Sequence, residues 1–336
     1  MKIAHVIPHS ITFPLAEHNG RYEWLLELVT HQVAAGHEVT IYCNPNSHVN
    51  GVTIKGASDN LYDKKEQNLA NFKLAFENEH DIYHSHFDSL HFEAAHLTQK
   101  IIVFTQHWWP TKESVGLAQM THPTNVWAVP PTKYMHDFDV ANGMQTKGYI
   151  HHGVDLSPFR ACDPSEKNGR LLSVGRIAPE KNIELSIRVA QAADVGLDII
   201  GRIPDKYQQY YEKSIAPQID GENVRYLGSM HKPELALHYA KALALLFPSD
   251  IHEAFGLVGI EAQACGTPVI MQSGGSRGEL IIDGVTGFLC GTDEQFITSV
   301  KKSASINAGD CISFAQKFSI ETMVSEYTKL YSVLLS

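Results

Sequence analysis

Two glutamates, Glu253 and Glu261, stand in "HEAFGLVGIEAQACGTPVI", residues 252–270, a stretch otherwise mostly apolar and small. That composition belongs inside a fold, yet the stretch holds no Lys or Arg to balance either acid. A buried carboxylate without a partner is costly, on the order of several kcal/mol. An ionised carboxylate accepts from two adjacent hydroxyls at once, so the pair suits a ligand rich in OH groups. The plainer alternative is one glutamate capping a helix and the other exposed.

The surrounding pattern gives the pair a place. Residues 243–247 read as a strand ending at Pro248, followed by the loop "SDIHEA" and a helix opening near Phe255 and Gly256. A helix start offers free N–H groups and a positive dipole end, a ready site for an anion or polar ligand. Glu253 falls in the loop at that mouth. Glu261 falls about one and a half turns into the helix, and helix side chains tilt back toward the N-terminus. Gly256 and Gly259 permit close approach, while Gly266 and Pro268 mark the stop.

Cations come from a second stretch, "SVGRIAPEKN", residues 173–182. A strand ends in Gly175 and Arg176, and Lys181 opens the next helix. A guanidinium fork and an ammonium point charge on a strand-to-helix loop suit phosphate; a solvated loop is the alternative. "QSGGSRGELIIDGVTGFL", residues 272–289, reads as a third such loop, where Gly274 and Gly275 let backbone N–H groups face a ligand. "HNGRYEW", residues 18–24, holds Gly20 between a strand and a helix, near a second ligand or a phosphate.

The chain carries 19 histidines. "HSHFDSLH" sets out His84, His86, Asp88 and His91, close to the HxHxDH pattern of dinuclear metal hydrolases, and residues i and i+2 of a strand share a face. Ser89 stands where that pattern asks for His, and the reading adopted is that no metal binds. His151 and His152 read as hinge packing or acceptor contact. Trp108 and Trp109 are adjacent at a strand end, so both cannot face the core; one is expected to form an apolar wall for a sugar or acceptor.

Short apolar runs alternate with helical periodicity along the whole chain, which implies parallel sheets with helices on both faces. With 336 residues, two domains are expected. A turn-rich segment, 155–170, separates two such series, and a linker is placed near 153–168. Hydrophobic content of 43% with 19% charged residues reads as globular and soluble. A formal net charge of −10 argues against nucleic acid, whose backbone asks for a basic face. No run nears the roughly 20 apolar residues of a membrane span. The 5 cysteines are scattered and without a CxxC pair, in keeping with a reducing cytoplasmic setting.

These segments resemble the retaining GT-B glycosyltransferases of the "glycosyl transferases group 1" family (GT4). Three matches carry the resemblance: G-R-x4-K-N at Gly175 to Asn182, E-A-F-G-L-V-x-I-E-A at Glu253 to Ala262, and A-C-G-T-P-V-I at Ala264 to Ile270. Supporting matches are G-H-E-V-T from Gly36, D-I-Y-H-S-H from Asp81, G-V-D from Gly153 and D-G-V-T-G-F-L from Asp283, in family order over nearly the whole chain. Two departures stand out. Gly274-Gly275-Ser276-Arg277-Gly278-Glu279 replaces the family's Gly-Gly-x-Pro-Glu, and Asn19-Gly20 replaces its Gly-Gly.

The resemblance implies an α/β GT-B fold: two Rossmann-like doubly wound parallel-sheet domains facing a central cleft. Residues 1–155 would form an acceptor-side domain, with a C-terminal helix over about 319–336 packing back on it, and 165–318 a nucleotide-sugar donor domain. It implies transfer of a sugar, with retention, from a nucleoside-diphosphate sugar (UDP favoured over GDP) to a hydroxyl of a small-molecule, glycan or lipid-linked acceptor. Arg176 and Lys181 would bind the diphosphate, Glu261 the ribose and Glu253 the donor sugar, with Gly175 and the backbone of Ala254, Phe255, Gly256 and Leu257 beside them. His107 would lie near sugar and acceptor, joined on the acceptor side by Gly20, His84, Trp108 and Trp109. Glu253, His107, Arg176 and Lys181 form the expected catalytic set. No metal or other cofactor is implied, because the two cations serve the diphosphate. The protein would be cytoplasmic, free or at the inner membrane face, as a monomer or homodimer. Alternatives are a GT-B sugar phosphorylase, a nucleotide-sugar epimerase, a metal-dependent hydrolase and a non-catalytic nucleotide-sugar-binding protein.

Overall fold

The computed structural model describes residues 1–16, 19–58, 63–249 and 252–336. His18 of the 18–24 loop, and Asp250 and Ile251 of the 249–254 loop, lie outside the described residues. The chain divides into two units: Met1–Gly153 with Ile320–Ser336, and Val154–Ser319.

The first unit is built on β1 (Lys2–Val6), β2 (Glu38–Tyr42), β3 (Thr53–Lys55), β4 (Ile82–Ser85), β5 (Ile102–Thr105) and β6 (Val126–Val129). All pair in parallel, in the order β3-β2-β1-β4-β5-β6. A central parallel strand is covered on both faces. All four residues of β4 are accordingly buried, including His84. His5 of β1 is its register partner across the sheet. The terminal helix Ile320–Leu335 buries Ile320, Met323, Val324, Tyr327 and Tyr331, a stripe at helical spacing, and packs on the helix Gly20–Ala34.

The second unit repeats the winding. Its strands are β7 (Leu171–Val174), β8 (Leu197–Ile200), β9 (Val224–Tyr226), β10 (Ala244–Phe247), β11 (Val269–Gln272) and β12 (Gly287–Cys290), again all parallel. The order is β12-β11-β10-β7-β8-β9, the same path as the first sheet read from its other edge. Each unit is therefore a Rossmann-like doubly wound sheet. In each, order reverses between the first and fourth strands, and the loops leaving those strands diverge there to open a binding crevice. The turn-rich segment is folded onto this second core: Val154 N–H donates to Phe318 O at 2.9 Å, and Phe159 is 2% exposed. Residues 272–289 are not all loop, because their end forms the edge strand β12.

Candidate active site

The chemistry of the second unit gathers at the reversal between β7 and β10. Gly175 follows β7 with φ +148, and Gly201 follows β8 with φ +155. A Cβ on Gly201 would lie 1.8 Å from Gly175 O, so only glycine permits the two strand ends to close up. The chain then makes a 3-10 turn, Pro179–Lys181, and Asn182 at φ +51 starts the helix Ile183–Ala193. Arg176 Nη2 donates to Glu180 Oε1 at 3.0 Å.

Lys181 Nζ donates directly to Glu253 Oε2. Both side chains are largely covered, at 14% and 20% exposure. Arg277 is fully buried beside them: its Nη1 lies 3.4 Å from Glu253 O and its Nη2 3.5 Å from Ser249 O. The Lys181 ammonium and the Arg277 guanidinium sit 5.7 Å and 5.2 Å from the ring centre of Phe247, the last residue of β10. Burial alone would raise the Glu253 carboxyl; the charges of Lys181, Arg277 and Arg176 and the Lys181 hydrogen bond hold it below its ordinary value.

The cations that balance Glu253 thus come from other stretches of the chain. Arg277 carried no assigned role in the sequence reading. Its signal was the extra residue in the Gly274–Glu279 loop, a charged side chain where the family pattern has none.

The helix opens at Leu257, next to the expected Phe255 and Gly256, and runs to Ala264 with Gly256 as its N-cap at φ +101. A Cβ at Gly256 would come 2.7 Å from the Phe247 ring. Ala254 and Phe255 are 5% and 2% exposed, so their side chains belong to the core and only backbone groups remain for a ligand. Glu261 is buried and accepts from Tyr239 OH at 2.9 Å. Burial, then the Glu261 charge and hydrogen bond, pushes the Tyr239 hydroxyl well up, which keeps it a donor.

In the first unit, His84 overturns one expectation. It is wholly buried, with Nδ1 at 2.7 Å from Tyr331 OH and Nε2 at 2.7 Å from Thr105 Oγ1, so it cannot touch an acceptor. The pattern that suggested it, histidine beyond a strand, misled because β4 is central and covered on both faces. His107 is half-buried just beyond β5 and meets His86 Nδ1 through its Nε2 at 3.2 Å. Burial holds His107 well below the usual imidazole range, helped by Arg21, His152 and His84. A cavity of about 150 Å³ is lined by His107, Trp108, Trp109, Asp88 and Gln106 among others.

Trp108 is 50% exposed, with the Arg21 guanidinium 5.7 Å from its ring centre. Trp109 packs on Tyr134 and Phe138, at centroid distances of 5.5 and 4.9 Å. A Cβ at Gly20 meets nothing within 4 Å, so the fold itself does not demand glycine there.

The HxHxDH pattern does not assemble around one point. Asp88 pairs with Arg21 at 2.6 Å, and His91 stacks on Phe104 at 3.8 Å. His5 instead joins His84 and His86, with ligand atoms within 4.8 Å of one another. Both nitrogens of all three already meet hydrogen-bond partners, so a metal would have to displace an intact network.

Residues 159–306 match the family model "Glycosyl transferases group 1". The chain is 32% identical over 186 residues to an uncharacterized 41.2 kDa protein in the cps region of Klebsiella pneumoniae, covering 52% of this chain and 50% of that one. It is 32% identical over 158 residues to the D-inositol 3-phosphate glycosyltransferase of Frankia alni, covering 41% and 39%. The matches thus span about half, or less, of these curated relatives. Among solved structures, sucrose-phosphate synthase from Thermosynechococcus elongatus superposes with a TM-score of 0.80 at 19% identity, over 99% of this chain and 98% of that one. Anabaena HepE, solved in complex with UDP and glucose, superposes at 0.79 and 17% identity, over 99% and 100%. At such identities the likeness is one of fold, and the fold is of the GT-B type.

Proposed function

We propose that this chain, whose residues 159–306 match the glycosyl transferases group 1 model on a GT-B-type fold, is an enzyme that transfers a sugar, with retention, from a nucleoside-diphosphate sugar to an acceptor hydroxyl. UDP-sugars are favoured as donors, in line with the UDP bound in HepE. The observation that carries this reading is the Lys181–Glu253 pair, with Arg176 and Arg277 near it, at the strand-order reversal of the second sheet.

Arg176 and Lys181 take the diphosphate, and their charge stabilises it as it leaves. Glu261 takes the ribose and Glu253 the transferred sugar, beside the Gly175 backbone and the N–H groups from Ala254 to Leu257. His107 acts on the sugar or acceptor. Gly20, Trp108 and Trp109 serve the acceptor. With two cations on the diphosphate, no metal is required. Cytoplasmic placement rests on sequence composition; among the described residues no helix is long and apolar enough to cross a membrane.

A thermal-shift panel tests the reading. A ligand that binds only the folded state raises the melting temperature by mass action. UDP and one or more UDP-sugars should stabilise the protein in EDTA, more than GDP or ADP counterparts do. A panel without any stabilising nucleotide, or stabilisation that requires added Zn²⁺ or Mn²⁺, would overturn it.

A further inference from the structure

We propose that Gln32, acting through His5 and His86, fixes the tautomer of His107 so that its Nδ1 is left as a hydrogen-bond acceptor. The role given to His107 in transfer rests on the function proposed above; the tautomer relay does not.

The chain of contacts runs in one line. Gln32 Oε1 lies 2.8 Å from His5 Nε2, His5 Nδ1 lies 2.9 Å from His86 Nε2, and His86 Nδ1 lies 3.2 Å from His107 Nε2. An amide oxygen only accepts, so His5 Nε2 carries the hydrogen. Burial lowers His5 to about 4 against the opposing Gln32 hydrogen bond, and holds His86 well below its usual range, with nearby positive groups adding to it. Both rings are therefore neutral near pH 7, with one hydrogen each. His5 Nδ1 is then bare and accepts from His86 Nε2–H. His86 Nδ1 is bare in turn and accepts from His107 Nε2–H. A neutral His107 has its second nitrogen, Nδ1, unprotonated.

Each link passes one bit of information, and the amide at the far end sets it. Reversing the Gln32 amide would invert every link and leave His107 with a donor at Nδ1. His5, His86 and Gln32 are at most 1% exposed, so water cannot readily reset the line. His84 stands beside the line in the set Tyr331–His84–Thr105–Tyr327, which meets it at Gln32, whose side chain also hydrogen-bonds Tyr331. In the glycosyl-transfer reading, an acceptor at His107 Nδ1 receives a hydrogen bond from a sugar or acceptor O–H. Gln32, His5 and His86 are positioning residues for that contact.

Long-range proton–nitrogen correlation on the full chain, with ¹⁵N-labelled histidine at pH 7.5, reads the tautomers directly. His5, His86 and His107 should all carry the hydrogen on Nε2. Gln32→Met removes the accepting oxygen at similar volume; the His107 resonances should then move toward a mixture of tautomers. Its transfer rate should fall about fivefold, the population cost of losing one hydrogen bond, with the KM for donor unchanged. A wild-type His107 with its hydrogen on Nδ1, or a tautomer unmoved in Gln32→Met, would overturn the proposal. Should Gln32→Met fail to fold, His5→Phe cuts the same line one link later: the His107 tautomer should move there too, and an unmoved one would overturn the proposal equally. The spectra need no donor, so failure of the relay and failure of the transfer reading give different results.

Discussion

Lys181 and Glu253, 72 positions apart in sequence, form an ion pair where the strand order of the second sheet reverses. One sits on the loop after β7 and the other on the loop after β10. The cation assigned to phosphate and the acid assigned to sugar satisfy each other. Breaking one partner of a covered pair leaves an uncompensated charge.

The pair predicts an asymmetry between two variants. Glu253→Gln releases Lys181, so free UDP should bind within about threefold of wild type or more tightly, while the intact donor loses affinity and kcat. Lys181→Met should weaken UDP and donor alike by roughly 10- to 150-fold, the worth of one hydrogen bond to a charged group. Glu261→Ala should also weaken both equally. Titration calorimetry with UDP and the best UDP-sugar separates the cases. Equal loss of free UDP in Glu253→Gln and Glu261→Ala would show that the division of roles is wrong.

The fold was legible because its signals are local. The central strands are short, mainly apolar runs, with His5, His84 and Ser173 among the exceptions, and Gly175 and Gly256 mark the turns that allow close approach. The sites were legible only as far as they follow a sequence pattern. Arg277 reaches Glu253 across 24 positions, and no spacing rule reveals such a contact. His84 misled because periodicity shows which residues share a face, not whether that face is covered. The edge strands β3, β6 and β12 escaped the sequence reading.

The two tryptophans should part company. Trp109 is held between Tyr134 and Phe138, so Trp109→Ala should destabilise by about 2–4 kcal/mol, near the lower end for a large aromatic, since it is only half-buried. Trp108 is exposed over Arg21, so Trp108→Ala should cost under about 1 kcal/mol and raise the acceptor KM while donor hydrolysis persists. Denaturant unfolding and acceptor titrations read the two effects. Equal stability loss in both variants would contradict the assignment.

Stability should depend on pH with two opposed signs. Burial pushes the Asp139 carboxyl up to about 7, against a hydrogen bond from Gln106. Its folded pKa exceeds its unfolded one, so its contribution is full below about pH 4 and is lost as pH rises through 7. Asp139→Asn should therefore gain stability at pH 8 relative to pH 5, on the order of 3 kcal/mol. Burial lowers His5 to about 4, and His91 and His152 to about 3. Their contribution is present above about pH 6.5 and is lost as pH falls toward 4. Melting temperatures should drop as pH falls below about 6.5, and more steeply in Asp139→Asn, which lacks the opposed carboxyl contribution that is lost between about pH 4 and 7 and is level above 7. A profile between about pH 5 and 7 unchanged in Asp139→Asn would refute that source.

Gly256 should tolerate no side chain. Its φ of +101 and the Phe247 ring 2.7 Å from a Cβ both oppose substitution. Gly256→Ala should cost about 2–4 kcal/mol and weaken UDP, because the N-terminus of the helix Leu257–Ala264 must shift. A variant as stable as wild type would show that the turn relaxes freely.

The most direct measurement follows the best-binding α-linked UDP-sugar in water, with EDTA and without added acceptor, by proton NMR from the first minutes. Slow donor hydrolysis should release UDP and the free sugar as its α-anomer, before mutarotation mixes the two forms, and Lys181→Met should abolish the release. Release of the β-anomer first would contradict retention, and no cleavage of any nucleotide sugar that binds would contradict glycosyl transfer itself.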